Sequence, residues 1–394
     1  VIALRVVIQQ DINMKILLLC LIFVVIPSEE IQEFQNSNLQ FSADVYKVIS
    51  GKNTGNFLIC PLSAQIVLSL ATVGARENSA KQLSNSLHFP NDPVKIQNIF
   101  RNLNNHFDVA EPYQFSSANK IYLNDKCEIK SDYRDVAINT FKAGIENINF
   151  ADTERATKLI NQWVEEKTSN KIKDLVGKDT LRSDTFAILV NTLYFHGNWV
   201  HEFGASGDYK QDFYVSETET VPTNFMTQRN DFNYCYNEIL RAEFLELPFV
   251  GDDVTMTIVL PKDRHGLKEL ETHISSVISP QSLKKLDSVI TIPKFKMEST
   301  IDFKELLKEL GVTEPFTKNA NFIGITEERI YIDDVVQKTF IEINERGATA
   351  AAATKMSFIP VSMPRVFLTA NHPFIYFLRH RSTGVFFIGR FSRP

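Results

Sequence analysis

The spacing of apolar residues changes along this chain, and each change marks an element. Apolar positions at 41, 45, 48 and 49 give the stretch from Leu39 to Ile49 the face of an amphipathic helix. Residues 93–107 show the same period through Ile96, Ile99, Phe100 and Leu103. A further helix runs from Phe303 to Leu310 and is closed by Gly311, as a helix end should be. Between these lie segments of period two. Asn56 to Cys60 reads as a short strand that breaks at Pro61 into a helix reaching Ala71, and Ser117 to Leu123 reads as another strand. Phe186 to Phe195 is nearly all apolar, which predicts a strand covered on both faces. Val221 to Met226, Leu245 to Phe249 and Met256 to Pro261 alternate, Ile290 to Phe295 leads towards the helix at Phe303, and Val335 to Ile343 would turn Gln337, Thr339, Ile341 and Ile343 inward.

The least ordinary stretch runs from Phe340 to Pro364. Four consecutive alanines, residues 350 to 353, have high helix propensity, yet no apolar face of period 3.6 surrounds them. Taken by twos, Ala348, Ala350, Ala352, Thr354, Met356 and Phe358 share one face, and Thr349, Ala351, Ala353, Lys355 and Ser357 share the other. The first face is small or apolar throughout, so the segment is written as a strand able to slide into a tight gap in a sheet. Beyond it, Pro360 and Pro364 hold the chain extended as a loop.

Composition narrows the picture. Although 394 residues could make two or three domains, no linker, repeat or charge block divides them, and 44% hydrophobic residues suffice for one large core. A net charge of −5 gives no reason to expect nucleic acid or an anionic membrane as partner. Residues 1–13 read as an upstream or non-native segment. Met14, Lys15 and the apolar run of 11 from Ile16 to Ile26 read as a signal peptide over residues 14–28, too short to span a bilayer, which predicts a secreted, extracellular chain over 29–394. Cys20 leaves with that peptide, so Cys60, Cys127 and Cys235 allow at most one disulfide and no disulfide scaffold.

No catalytic motif is present: the chain lacks Gly-x-Ser-x-Gly, His-Glu-x-x-His, Cys-x-x-Cys and a phosphate-cradling glycine loop. His201-Glu202 has no second histidine four positions on, and the eight histidines are scattered. The sequence therefore implies no enzyme, no metal and no cofactor.

Glu345-Arg346-Gly347 followed by small residues through Thr354 resembles the hinge before the reactive-centre loop of serpins. Asn371 to Leu378 and Gly384 to Arg390 resemble that family's C-terminal signature. The resemblance implies an α+β, single-domain serpin fold with three β-sheets, surrounding helices and an exposed loop over 345–364, and Thr157 to Val176 resembles the helix that lies across the main sheet, with its lysines on a solvated face. It also implies positions for the working parts. The hinge would comprise Glu345, Arg346, Gly347, Ala348, Thr349, Ala350, Ala351, Ala352, Ala353 and Thr354. The breach, where the loop first enters the main sheet, would contain Trp199 and an exposed ion pair of Lys294 with Glu345. The shutter beneath the sheet centre would contain Cys60, Ser63, Asn191 and Gln337. Cys60 stands where serpins usually have a serine, and a thiol is the weaker hydrogen-bond partner. Gln337 stands where many have histidine, so no pH switch is expected there.

By this resemblance the chain acts as a suicide substrate, a monomer whose partner is a secreted serine protease. The helix over residues 93–107 carries only Lys95 and Arg101, so no polysaccharide site is evident. A non-inhibitory carrier, storage protein or chaperone is the alternative; such members usually have bulky, charged or proline residues in the hinge, where this chain has alanine and threonine. Inhibitory members more often have threonine or serine at the place of Ala348, and alanine is smaller still. The family's nearly constant distance from hinge glycine to cut puts the reactive bond fourteen residues beyond Gly347, at Val361-Ser362. The arm then spans roughly 46 Å. Lys355 lies too early and Arg365 too late for a trypsin-like target. Valine suits the shallow pocket of an elastase-like protease better than the deep pocket of a chymotrypsin-like one, which is the second possibility; Phe358 offers the latter only a site three residues early, where cutting should give more turnover than trapping.

Overall fold

The computed structural model describes residues 29–104, 113–177, 180–204, 209–251, 253–348 and 363–394. The proposed signal peptide lies outside the described residues, as do Thr349, Ala350, Ala351, Ala352, Ala353, Thr354, Val361 and Ser362. In chain order the elements are α1 (Glu29–Lys52), β1 (Phe57–Ile59), α2 (Pro61–Gly74), α3 (Glu77–Ser86), α4 (Pro93–Asn104), β2 (Gln114–Asn124), α5 (Ser131–Asp135), β3 (Gly144–Ile148), α6 (Thr153–Lys167) and β4 (Ala187–Asn198). They continue with β5 (Tyr209–Tyr214), β6 (Thr220–Asn237), β7 (Ala242–Pro248), β8 (Val254–Pro261), α7 (Leu267–Thr272), α8 (Ile274–Val277), β9 (Lys284–Pro293), β10 (Phe295–Asp302) and α9 (Phe303–Glu309). The last are β11 (Asp334–Ile343), β12 (Gly347–Ala348), β13 (Val366–Thr369), β14 (Phe374–His380) and β15 (Gly384–Phe391).

The described strands hydrogen-bond into two sheets where three were expected. One has nine strands in the order β1-β15-β14-β8-β7-β6-β9-β13, with β5 also on β6; the other has six, β10-β11-β4-β2-β3, with β12 on β4. The cause of the difference is β6. Its 18 residues pair with β5 near their start and with β7 near their end, joining what would otherwise be two smaller sheets.

Two helices differ most from their expected bounds. The first begins ten residues before Leu39, at Glu29, and buries Ile31 and Phe34 there, with polar Ser37 and Asn38 between them and Phe41. Asn38 donates to Gln65 Oε1 and to the Val385 carbonyl, both at 2.9 Å, and Ser37 Oγ donates to the Leu87 carbonyl at 2.6 Å. A buried polar group with partners costs little, so the buried face runs on through these two polar residues. The helix expected from Thr157 to Val176 is α6, which starts earlier and stops at Lys167, since Ser169 and Asn170 take φ of 52° and 59°. The chain beyond still covers the sheet. Ile172, Leu175 and Val176 are buried, and Asn161 bonds the Val176 amide and carbonyl at 2.9 Å each.

The six-stranded sheet separates two apolar cores. Its inner face, with Leu189, Leu193 and Phe195 of β4 and Val335, Ile341 and Ile343 of β11, joins the large core shared with the nine-stranded sheet and α2. Its outer face, with Ile188, Val190 and Tyr194 of β4 and Val336 and Phe340 of β11, lies under Ala156, Ile160 and Val164 of α6.

Candidate functional site

The site is the seam between β4 and β11, the parallel pair near the middle of the six-stranded sheet. Asp334 to Phe340 match Ile188 to Tyr194 in register. A strand running antiparallel to both neighbours could enter this seam and replace one slanted parallel ladder with two antiparallel ones, the slightly stronger kind.

At the upper end the seam is open. β11 ends at Ile343, Asn344 and Gly347 exchange backbone bonds of 3.0 and 3.2 Å, and the chain reverses. Gly347 and Ala348 then pair with Asn198 and Gly197 of β4 in the antiparallel sense. Only glycine fits at 347. Its φ is +135°, and a Cβ would strike the Gly197 carbonyl.

Trp199 holds this reversal from behind. Its ring stacks on Phe249 at 4.2 Å, its Nε1 donates to the Asn344 carbonyl at 2.9 Å, and its backbone amide donates to Arg346 at 2.9 Å. Phe203 N donates to the Glu345 carbonyl at 2.8 Å. The Glu345 carboxylate pairs with Lys294, and the two side chains are 28% and 23% exposed, so the pair is half-buried rather than exposed as the sequence implied. Part burial pushes the Glu345 carboxyl up, but the hydrogen bond and charge of Lys294 pull it further down, below the usual carboxylate value.

In the middle the seam is closed by side chains. Asn119, Asn191 and Gln337 stand in one row across β2, β4 and β11, because the two registers pair Asn119 with Asn191 and Asn191 with Gln337. Gln337 Nε2 donates to Asn191 Oδ1 across the seam and to the Cys60 carbonyl at 2.8 Å, while its Oε1 accepts from the Cys60 amide at 2.8 Å. Asn191 Nδ2 donates to Ser63 Oγ and to Asn119 Oδ1, each at 2.6 Å, and Ser63 Oγ donates to Asn119 Oδ1 at 2.8 Å. Thr339, two residues on, donates to the Leu58 carbonyl at 2.9 Å.

The network is complete without the Cys60 thiol. Cys60 contributes its main chain to Gln337, and its sulfur caps α2 by accepting from the Ser63 amide at 3.4 Å. Burial pushes the thiol pKa up, so it stays protonated and unreactive. All three cysteines of the described residues are free.

Trp199, Lys294, Glu345, Arg346, Gly347 and Ala348 thus meet at the upper end of one seam, and Cys60, Ser63, Asn191 and Gln337 meet at its middle. Sequence reasoning missed Asn119, Asn344 and Phe249. Asn119 was findable, as the polar residue inside the strand expected from Ser117 to Leu123, but Asn344 and Phe249 act through a backbone carbonyl and a ring face that carry no sequence signal.

A family profile described as Serpin (serine protease inhibitor) matches residues 36–394. The chain is 33% identical over 360 residues to Antichymotrypsin-2 of Bombyx mori, covering 88% of this chain and 94% of that protein. It is 32% identical over 378 residues to the Leukocyte elastase inhibitor of Bos taurus, covering 92% and 100%. The crystal structure of Serpin48 of Tenebrio molitor superposes with a TM-score of 0.86 at 37% identity, covering 92% of this chain and 98% of the other. With its seam, its hinge glycine and these likenesses over most of its length, the chain belongs to the serpin family, whose inhibitors are not enzymes.

Proposed function

We propose that this serpin is a secreted suicide substrate for an elastase-like serine protease, cut at Val361-Ser362. The protease serine attacks the Val361 carbonyl, the Ser362 amine leaves with a proton, and the two proteins are joined by an ester. The arm ending at Val361 then inserts between β4 and β11 before water reaches that ester, carrying the protease with it.

The observation that carries this reading is the pairing of Gly347 and Ala348 with β4, an antiparallel strand already begun at the mouth of the seam. Carried forward, that register sets Ala350 opposite Phe195, Ala352 opposite Leu193 and Met356 opposite Leu189, so the small face meets the inner core. Thr354, the polar residue of that face, arrives between Asn191 and Gln337, where its hydroxyl can replace the bond it interrupts. Phe358 reaches Ala187, the first residue of β4, which leaves Ile359, Pro360 and Val361 to carry the protease past the sheet edge.

Valine at the cut and the relatives' names, an elastase inhibitor and an antichymotrypsin, support an elastase-like target with a chymotrypsin-like one second. Mixing the protein with a panel of secreted serine proteases tests the reading. The expected result is a covalent complex that survives denaturing electrophoresis and a released peptide beginning at Ser362. Turnover without complex would favour a carrier or storage role, and a peptide beginning at Met356 or Val366 would overturn the assigned bond.

A further inference from the structure

We propose that Asp333 is a latch at the lower end of the seam, a positioning residue that holds β4 and β11 together in the uncut chain and lets go when a strand fills the gap. The inference rests on the insertion proposed above. Asp334 and Ile188 are the first pair of the two strands. Just below them the Asp333 amide donates to the Ala187 carbonyl at 2.9 Å, and the side chain then takes over from the ladder. Its Oδ2 accepts from the Phe186 amide at 2.6 Å and from the Ala187 amide at 3.2 Å, and its Oδ1 accepts from Arg182 at 3.3 Å. All three donors stand at or just before the start of β4, so one carboxylate crosses the seam three times.

The latch joins the two halves of the sheet that a new strand must part. On the β4 side the Thr185 carbonyl accepts from Asn124 Nδ2 of β2 at 3.0 Å and the Phe186 carbonyl from the Asn124 amide at 2.9 Å, while Asp184 braces Arg182 at 3.1 Å. On the β11 side Lys304 of α9 donates to the Asp333 carbonyl at 2.6 Å, and the Ile332 amide donates to the Pro315 carbonyl at 3.0 Å. At the upper end the reversing chain leaves the seam open. The halves can therefore part as a wedge from above while the latch still holds below.

Charge makes the latch firm, and its being a side chain makes it removable. A hydrogen bond to an ionised acceptor is roughly twice as strong as one between neutral groups. The cost is desolvation: the side chain is 9% exposed, and burial pushes its carboxyl above the usual carboxylate value against the pull of Phe186, Ala187, Arg182 and Lys304. A side chain also reaches across the gap without filling it. The carbonyls of an entering strand can take the amides that it frees, while Asp333 turns towards water with Arg182, whose side chain is 64% exposed. Asp334, by contrast, accepts from the Val335 amide of its own strand at 2.8 Å. The cross-seam bonds of Asp333 thus support the uncut form, and a strand that fills the seam makes them redundant.

The test compares the full chain, uncut and cut, as parent, Asp333→Ala and Asp333→Asn; the asparagine keeps an oxygen for the amides without the charge and carries the comparison if the alanine variant does not fold. In the uncut chain, hydrogen exchange in the peptide spanning residues 183–189 should rise about tenfold or more in Asp333→Ala and by less in Asp333→Asn. Unchanged exchange in both would overturn the latch. The cut form is made with pancreatic elastase and is the fraction whose C-terminal peptide begins between residues 359 and 363. Melting temperatures of both forms are read at one scan rate in a fixed concentration of urea, because guanidinium would screen the charge. Asp333→Ala should melt a few degrees below the parent when uncut and at the parent's temperature when cut. An equal loss in both forms would make Asp333 an ordinary structural residue and overturn the proposal. A cut parent no more stable than the uncut one would instead overturn insertion itself, and with it the proposed function, while the exchange result still decides whether Asp333 holds the uncut seam.

Discussion

The upper end and the middle of the same seam are built from different materials. Above, β4 and β11 are held apart by a reversing chain whose contacts are mostly backbone carbonyls of Asn344, Glu345 and Arg346, with one half-buried ion pair. In the middle, fully buried side chains tie β4 to β11 directly and tie both to the start of α2. A strand that enters from above replaces like with like, since the turn's backbone bonds need not break for Ala348 to be followed by the next residue. At Asn191 and Gln337 it must part a buried amide pair, and a buried polar group left without a partner costs about 1–3 kcal/mol. On the proposed mechanism, starting insertion would therefore be easier than passing the middle, and the race against hydrolysis would be decided at the middle.

The largest effect expected from disturbing this contrast comes from charge on the inward face. In Ala350→Arg a guanidinium would have to be buried against Phe195, at a cost of several kcal/mol. Cleavage should continue while covalent complex disappears, read by the ratio of complex to cut serpin on a denaturing gel; undiminished complex would mean that residue 350 does not face the core. A middle-sized effect is expected at the centre. Gln337→Leu leaves the Cys60 amide and Asn191 Oδ1 without their partner, the Cys60 carbonyl keeping the Ala64 amide, so the uncut protein should lose about 1–3 kcal/mol in thermal or urea unfolding. An unchanged midpoint would show that the centre is no barrier.

The smallest effect belongs to the upper end. Lys294→Ala removes a pair that is about a quarter exposed, worth at most about 1 kcal/mol, and should change the rate of complex formation more than its yield. The Glu345 carboxyl lies below its unfolded value, so the contribution is present in full above that unfolded value and is lost as pH falls through the folded one. The difference between parent and Lys294→Ala should therefore vanish in acid, as rapid-mixing kinetics across a pH series would show.

Much of this contrast was legible in the sequence, for physical reasons that differ between its two halves. A long apolar run such as Phe186 to Phe195 admits few structures, and Asn191 and Gln337 stand out within their strands because polar residues at buried positions need partners. Family resemblance supplied which polar residues meet, which no spacing could, since Ser63 and Asn191 are 128 positions apart in the chain. The join of the smaller sheets through β6 was hidden because residues 227–231 are polar and at most half-buried, so no apolar alternation carries the strand past Met226. The early start of α1 was hidden because Ser37 and Asn38, buried by hydrogen bonding, separate Ile31 and Phe34 from the apolar positions that begin at Phe41.

After Pro364 the chain is fixed again, with the Arg365 amide bonded to the Asp287 carbonyl at 2.8 Å and Val366 to Thr369 paired with Ser288 to Thr291 of β9. The segment between Ala348 and Arg365 is thus tethered at two points in two different sheets. To fill the seam while the chain is whole, β13 would have to be stripped from β9 and Val366 and Leu368 brought into water. On the mechanism proposed above, connectivity rather than a weak set of contacts would keep the molecule out of the inserted arrangement. A single hydrolysable bond would then set the topology of the fold, and the enzyme that breaks it would change which structure the sequence specifies.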